Sequence, residues 1–164
     1  LAIVNMPNRR TALAARHILD EDMMVAHGIA SNHGLPRMVS YARLANLDLV
    51  IPSRRHGLRR ILDEVAAEAG IALKPRLEID TLSAICEVVA TTTLVTVLPG
   101  IALQAMLADG RIKARRLKSP AVVRSIAWVT NPRRVVSSAM SAVMEVITAD
   151  LQSAAVSASR LARC

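Results

Sequence analysis

The stretch from Leu49 to Leu98 constrains the fold of this chain more than any other, because it holds five predicted elements with almost no residues between them. Its first element is a short apolar run that Pro52 closes, which predicts a buried strand. Apolar residues then recur at helical spacing until Gly70, a residue type that commonly ends helices. The unit therefore opens with a strand followed by an amphipathic helix.

The second half of the unit repeats this order. Apolar and charged residues alternate over residues 73–80, which is the period of a strand with one buried face. Thr81 and Ser83 are capping types in front of another apolar stripe, and they predict a helix that starts near Thr81. A third strand ends at Pro99 and Gly100. Strands that alternate with helices in this way predict a parallel sheet with helices on both faces.

The segments outside this unit also carry recognisable patterns. Residues 11–19 are rich in alanine and fit a helix, residues 28–37 have loop composition, and residues 153–164 are small and polar and are expected to fray. The other predicted elements are strands over 1–4 (buried), 22–27, 112–117 and 125–130, a helical turn over 41–46, and helices over 101–108 and from Ser137 or Ser138 to about Leu151.

The chain resembles the effector-binding domain of LysR-type transcriptional regulators in three consecutive runs, PSRRHGLRRILDEVAAEAGI, KPRLEIDTLSAICEVV and VTVLPG. The flanking runs LDEDMMVAHG, ARLANLDLVIP and SIAWVTNPRRVVSSAMSAVMEVI are similar to that family as well. The resemblance implies an α/β, periplasmic-binding-protein-like (type 2) fold with two lobes, one nearly complete and the other partial. It assigns 1–22 and 126–152 to a remnant of the first lobe, 23–125 to the second lobe and 153–164 to a tail. It also implies that residues 11–19 are extended rather than helical.

Polar residues follow the three strands of the central unit, where the carboxyl ends of parallel strands meet and ligands commonly bind. Helix N-termini at these positions present unpaired N–H groups, which together with hydroxyls and Arg54 suit a small carboxylate or other anion. The resemblance implies an effector in the same cleft. Thr81 and Ser83 could instead be helix caps alone. The predicted effector-binding residues are Pro52, Ser53, Arg54, Thr81, Ser83, Pro99 and Gly100.

Two positions depart from the family pattern. Thr92 and Leu94 stand where the family usually has glycines. The preceding helix must therefore end without a residue that tolerates positive φ.

Other chemistry finds little support in the sequence. The four histidines lack paired metal-ligand spacing, Cys86 lies inside a predicted helix as a core residue, and Asp63 and Glu64 have helical spacing suited to ion pairs with Arg59 and Arg60. No catalytic site, metal or cofactor is predicted. The net charge of +8 has two interpretations, solvated arginine-rich helix faces or an attraction for anions, and the chain holds only two aromatic residues of the Phe, Trp and Tyr types.

These patterns predict a regulatory domain rather than an enzyme. We expect a cytoplasmic LysR-type regulator that senses a small, anionic metabolite, without membrane contact, and that forms a homo-oligomer when full-length. Because the chain starts at Leu1 inside a strand-like run, we expect it to be a fragment whose DNA-binding helix-turn-helix precedes it. The alternatives are a periplasmic solute-binding protein of the same architecture, marked by an upstream signal peptide, and an enzyme of this fold, which would need a catalytic pair.

Overall fold

A computed structural model describes residues 1–6, 14–31, 33–133 and 135–162. The strands are β1 Ala2–Asn5, β2 Ala14–Gly28, β3 Met38–Ser40, β4 Val50–Ile51, β5 Leu77–Glu78, β6 Val95–Pro99, β7 Ile112–Lys118 and β8 Val123–Thr130. The α-helices are α1 Gly57–Glu68, α2 Leu82–Thr91, α3 Gly100–Ala108 and α4 Ser138–Leu161, and a 3₁₀ helix spans Tyr41–Asn46. Among the described residues, no helix has the length and apolar character that a membrane span requires.

The long strand β2 belongs to two sheets. Its first part pairs antiparallel with β8, up to the pair Asp22↔Val123, and β8 pairs in turn with β1. We call β1, β8 and this part of β2 the first sheet. From Met23 onward β2 lies between β6 and β7, and β3 extends the second sheet beyond β7. The parallel pair β4 and β5 meets β6 through a single parallel bridge, Leu49↔Val95.

The central unit of the sequence folds in the predicted order of elements. Helix α1 ends before Gly70, whose φ of +68° is one that glycine adopts without strain. The predicted strand over 73–80 shortens to Leu77–Glu78. The parallel direction predicted for the strands of this unit is confirmed, because β4 runs parallel to β5 and bridges β6 in the parallel sense. The long strand β2, which lies outside this unit, runs antiparallel to β6 and β7.

Several flanking predictions need correction. The alanine-rich helix is wrong over residues 14–19, which open β2, while residues 11–13 lie outside the described part. Strand β1 was predicted to be buried, yet Leu1 is 53% and Ile3 42% exposed. The segment expected to fray continues α4 to Leu161, with Ala158 buried. The helical turn at Tyr41–Asn46 and the cap of α4 by Ser137 are confirmed.

Helix α2 ends without glycine because threonine hydroxyls satisfy its last carbonyls. Thr91 Oγ1 donates to the Glu87 carbonyl at 2.8 Å, and Thr92 Oγ1 donates to the Val88 carbonyl at 2.7 Å. The Thr92 hydroxyl also accepts from the backbone N–H of Leu94 at 3.1 Å. Thr92 itself is extended, with φ of −128°, so no positive φ is needed. The departure from the family's glycines is therefore accommodated by side-chain hydrogen bonds.

The buried apolar side chains form two clusters. The larger core lies around the second sheet and includes side chains of α1, α2, α3 and the 3₁₀ helix, and many of its residues are fully buried. The smaller core lies between the first sheet and α4. Its buried residues are Ile18, Leu19, Ile126, Trp128 and Met144.

Candidate functional site

The carboxyl ends of β4, β5 and β6 lie at one edge of the molecule. This follows from the pairing, because β4 is parallel to β5 and bridges β6 in the parallel sense. The loops that hold the predicted site residues therefore start from a common edge. The same edge faces the first sheet, since a Cβ on Gly57 would lie 3.2 Å from Asn5 Nδ2 at the end of β1.

Ser53 joins the loop after β4 to the loop after β5. Its backbone N–H donates to Asp80 Oδ1 at 2.9 Å, and its hydroxyl donates to Asp80 Oδ2 at 3.0 Å. These two bonds hold the pKa of the Asp80 carboxyl below its usual value. Asp80 was not among the predicted site residues, although an aspartate directly after a strand was a visible signal. The Ser53 donors predicted for a ligand are thus already engaged by the protein.

A buried arginine fixes the start of the same loop. The Arg59 guanidinium, 1% exposed, donates to the Pro52 carbonyl at 3.2 Å, to Asp63 at 2.9 Å and to Glu78 at 2.7 Å. Burial opposes its charge, but the hydrogen bonds to Asp63 and Glu78 outweigh burial and raise the pKa of Arg59. The predicted ion pair with Asp63 is confirmed. Its burial and its hold on Pro52 were not foreseen.

The N-terminus of α1 is partly satisfied within the loop. The ring Nδ1 of His56 accepts a hydrogen bond from the backbone N–H of Leu58 at 3.2 Å. Arg54 and Arg55 are exposed, and Arg54 forms no hydrogen bond or ion pair with any residue that the structure describes. Its guanidinium is therefore accessible to an anion at this edge.

No side-chain cap occupies the N–H groups at the N-terminus of α2. Thr81 occupies the N-cap position, yet its hydroxyl makes no capping hydrogen bond. Ser83 lies in the first turn and is exposed. The interpretation of Thr81 as a cap alone therefore lacks the hydrogen bond that it requires, and the hydroxyl points to no partner within the described chain.

The N-terminus of α3 is occupied by an internal carboxylate. Glu21, a buried residue of β2, accepts the backbone N–H of Ile101 at 2.6 Å through Oε1. Its other oxygen accepts from Arg124 Nε at 2.8 Å and Nη2 at 2.7 Å. The loop at Pro99 and Gly100 thus differs from the other two, because the protein supplies the anion itself. Sequence reasoning missed Glu21, which lies 80 residues from its helix partner.

A cavity of about 350 Å³ adjoins this junction. Its carboxylates are paired, since Asp20 accepts from Ser125 Oγ at 2.6 Å and Asp22 forms an ion pair with Arg116. Gly100 is the predicted site residue that lines it. The full lining is Asp20, Glu21, Asp22, Met24, Gly100, Val123, Ala155 and Ser159.

The remaining reactive side chains fit structural roles. Cys86 is buried, its thiol donates to the Ala102 carbonyl at 3.5 Å, and burial raises the pKa of that thiol. This agrees with the prediction of a core residue. Within the part of the chain that the structure describes, no three histidine, cysteine or acidic side chains come together as a metal site.

The sequence matches the family model of the LysR substrate-binding domain over residues 1–152. The chain belongs to this family. Family membership supports the resemblance seen in the sequence and does not favour the solute-binding alternative. No curated protein sequence matches this chain. The LysR substrate-binding domain has a periplasmic-binding-protein-like (type 2) fold, and the mixed α/β structure agrees with it.

Solved structures of LysR-family regulators are similar to this chain in fold. An OxyR mutant from Corynebacterium glutamicum is 15% identical with a TM-score of 0.78, over 96% of this chain and 50% of that chain. The mutant regulatory domain of MetR from N. meningitidis is 13% identical with a TM-score of 0.72, over 90% of this chain and 70% of that chain. Reduced OxyR regulatory domain from Pseudomonas aeruginosa is 18% identical with a TM-score of 0.69, over 91% and 70%. The chain thus spans about half the length of the first relative.

Proposed function

We propose that this chain is the effector-binding regulatory domain of a LysR-type transcriptional regulator. The family match over residues 1–152 carries the proposal. The parent protein would bind DNA through a helix-turn-helix outside this chain, act as a homo-oligomer in the cytoplasm, and have no enzymatic activity, cofactor or membrane contact. Residues 23–125 would form one effector-binding lobe, residues 1–22 and 126–152 would belong to the other, and residues 153–164 would follow as the tail.

The geometry supports a narrower effector site than the sequence predicted. Asp80 engages the donors of Ser53, and Glu21 engages the N-terminus of α3. The anionic group of the effector would therefore lie at the start of α2, where the Thr81 hydroxyl and Ser83 are available and helix N–H groups favour negative charge.

The other predicted residues would play supporting parts. Arg54, exposed and without a partner in the described chain, would supply the countercharge. Pro52, Ser53, Pro99 and Gly100 would form the walls of the site rather than its donors.

The proposed mechanism is a shift in population between two arrangements of the lobes. A ligand that contacts the loops after β4 and β5 together with the end of β1 binds one arrangement more tightly than the other. It can shift the equilibrium only by that difference in affinity. The short approach of Gly57 to Asn5 marks where the two parts of the chain would close on the ligand.

A ligand screen tests the site. Small carboxylates would be screened by the rise in thermal midpoint of the 164-residue chain, and hits would be measured by calorimetry. For a hit, Arg54→Ala and Thr81→Val should each weaken binding by about tenfold or more, because each removes a hydrogen bond to a charged group. Arg60→Ala, which removes an exposed arginine of α1, is the control and should leave Kd unchanged.

Two results would contradict the proposal at different levels. Equal Kd values for Arg54→Ala, Thr81→Val and the unchanged chain would reject the proposed effector site. They would not contradict the proposal that the chain is a regulatory domain. The DNA that encodes the region upstream of Leu1 tests the regulator itself. A helix-turn-helix there is the expected result, whereas a cleavable signal peptide would reject regulation in favour of solute capture.

A further inference from the structure

Two histidine rings meet beside the second sheet, away from the proposed effector site. His27 lies in β2 and is 6% exposed, and His33 lies in the segment that joins β2 to β3. Their ring centroids are 5.4 Å apart and their planes meet at 79°. This contact fastens the connecting segment to the buried strand.

Arg115 completes the cluster from the neighbouring strand β7. Because Val25 pairs with Arg115 and His27 with Lys113, the side chains of His27 and Arg115 emerge on the same face of the sheet. Arg115 Nη1 donates to the Ala114 carbonyl at 3.2 Å, but the buried Arg115 Nε has no partner among the described residues. The cluster of His27, His33 and Arg115 therefore consists of basic side chains.

The two rings differ in their hydrogen bonds. His27 Nδ1 lies 2.9 Å from the Gly28 carbonyl oxygen, so in a neutral ring Nδ1 carries the hydrogen and donates it. The buried Nε2 of His33 has no partner in the described chain. The ring of His33 is therefore held through its contact with His27 rather than through a hydrogen bond at Nε2.

The charges around His27 oppose protonation. The ionisable groups that act on this ring are His33 from the connecting segment and Arg115 from β7, and its cross-strand partner is Lys113. No described carboxylate acts on it. Burial first, and then the positive charges of His33 and Arg115, lower the pKa of His27 despite its hydrogen bond to Gly28.

We propose that the His27–His33 contact is a pH-sensitive latch, closed when the buried His27 ring is neutral and released when that ring takes up a proton. Release would free the segment between β2 and β3. That segment leads into the 3₁₀ helix, where the Tyr41 hydroxyl donates to the Leu62 carbonyl of α1 at 2.6 Å. The latched segment is therefore connected, through the 3₁₀ helix and Tyr41, to α1, the helix that begins at the candidate site.

The direction of the pH effect follows from proton linkage. The His27 ring binds a proton less readily when the latch is closed than when it is open, where its pKa approaches the ordinary 6.5. The closed state is thus fully favoured above that pH and loses stability as pH falls below it. Acidification, not alkalinisation, opens the latch.

Hydrogen–deuterium exchange of the peptide covering residues 29–40 tests the latch. Protection would be compared at about pH 7.5 and about pH 5.5 after correction for intrinsic exchange, and should fall by up to about tenfold per unit below the ordinary pKa. His33→Gln removes one of the two rings in contact and should abolish most of this pH dependence. His17→Gln, an exposed histidine beside Asp20, is the matched control and should keep it.

Two results of this exchange experiment would overturn the latch. Protection of this peptide that does not change with pH in the unchanged chain would overturn the latch. Equal pH dependence in His33→Gln and His17→Gln would overturn it as well, because another group would then be responsible. His27→Gln, which keeps a donor for the Gly28 carbonyl, repeats the test at the second ring, and loss of the pH dependence in both variants supports the latch.

Discussion

The two cores of this protein differ in how completely they are enclosed. The larger core combines side chains of the second sheet with those of helices, and residues such as Leu98 and Leu103 are 0% exposed. In the smaller core, α4 covers one face of the first sheet, and the buried residues keep 3% to 8% exposure. Apolar residues on α4 remain open, with Val146 71% exposed. The larger cluster thus contains side chains that are fully buried, whereas every buried residue of the smaller cluster keeps some exposure.

The largest expected effect contrasts one leucine from each core. Leu103→Ala should lower the free energy of unfolding by about 2–5 kcal/mol, because the fully enclosed site leaves a cavity that cannot collapse easily. Leu19→Ala should cost less, since Leu19 is 8% exposed and its surroundings can relax. Urea-induced unfolding measures both. An equal or larger loss for Leu19→Ala would break the contrast between the cores.

A second prediction concerns the buried guanidinium at the edge of the larger core. Arg59→Met should cost about 1–3 kcal/mol, the range for hydrogen bonds to charged groups. The cost stays below that of a fully buried ion pair because Asp63 and Glu78 are 40% and 42% exposed and can turn to water. Arg60→Met is the control and should change stability by no more than about 0.5 kcal/mol. Equal losses of unfolding free energy in the two variants would contradict a stabilising role for the hydrogen bonds of Arg59.

The smallest effect belongs to the helix that covers the smaller core. Ser137→Ala should cost about 0.5–1 kcal/mol, at the low end for capping residues. The low end applies because Ser137 Oγ accepts from the Met140 N–H at a long 3.3 Å. Ser138→Ala, one position into α4, should be nearly neutral. The unfolding free energies of the two variants test this cap. A greater loss of stability for Ser138→Ala would show that Ser138, not Ser137, caps α4.

The local elements and the parallel strands of the central unit could be predicted from the sequence, whereas the place of β2 could not. Helix α1 was predictable because its apolar stripe and Gly70 are both local signals. The period of a strand says nothing about its direction, so the antiparallel place of β2 between β6 and β7 stayed hidden. The composition of residues 14–19 favoured a helix, and only the family resemblance implied the extended backbone that opens β2. Its alanines gain strand structure only by pairing with β8, more than a hundred residues away in the chain.

The candidate site shows the same limit at the level of side chains. Loops after strands are visible in a sequence, and the edge they share follows from the strand pairing. Which carboxylate reaches which helix N-terminus depends on tertiary contacts, such as Glu21 with Ile101 and Asp80 with Ser53. The sequence therefore pointed to helix ends that suit anions but not to the two internal carboxylates that already use nearby donors.

The continuous pairing of β2 has a mechanical consequence. Its hydrogen-bonded partners change from β8 at Asp22 to β6 at Met23 without an unpaired residue between them, and the N–H of Met23 also bonds the Val122 carbonyl at 2.8 Å. Any rotation of one sheet against the other must twist this ribbon rather than swing about a loose joint. The two arrangements of the lobes proposed above would therefore differ in the twist of β2 at Asp22 and Met23, with its hydrogen bonds kept.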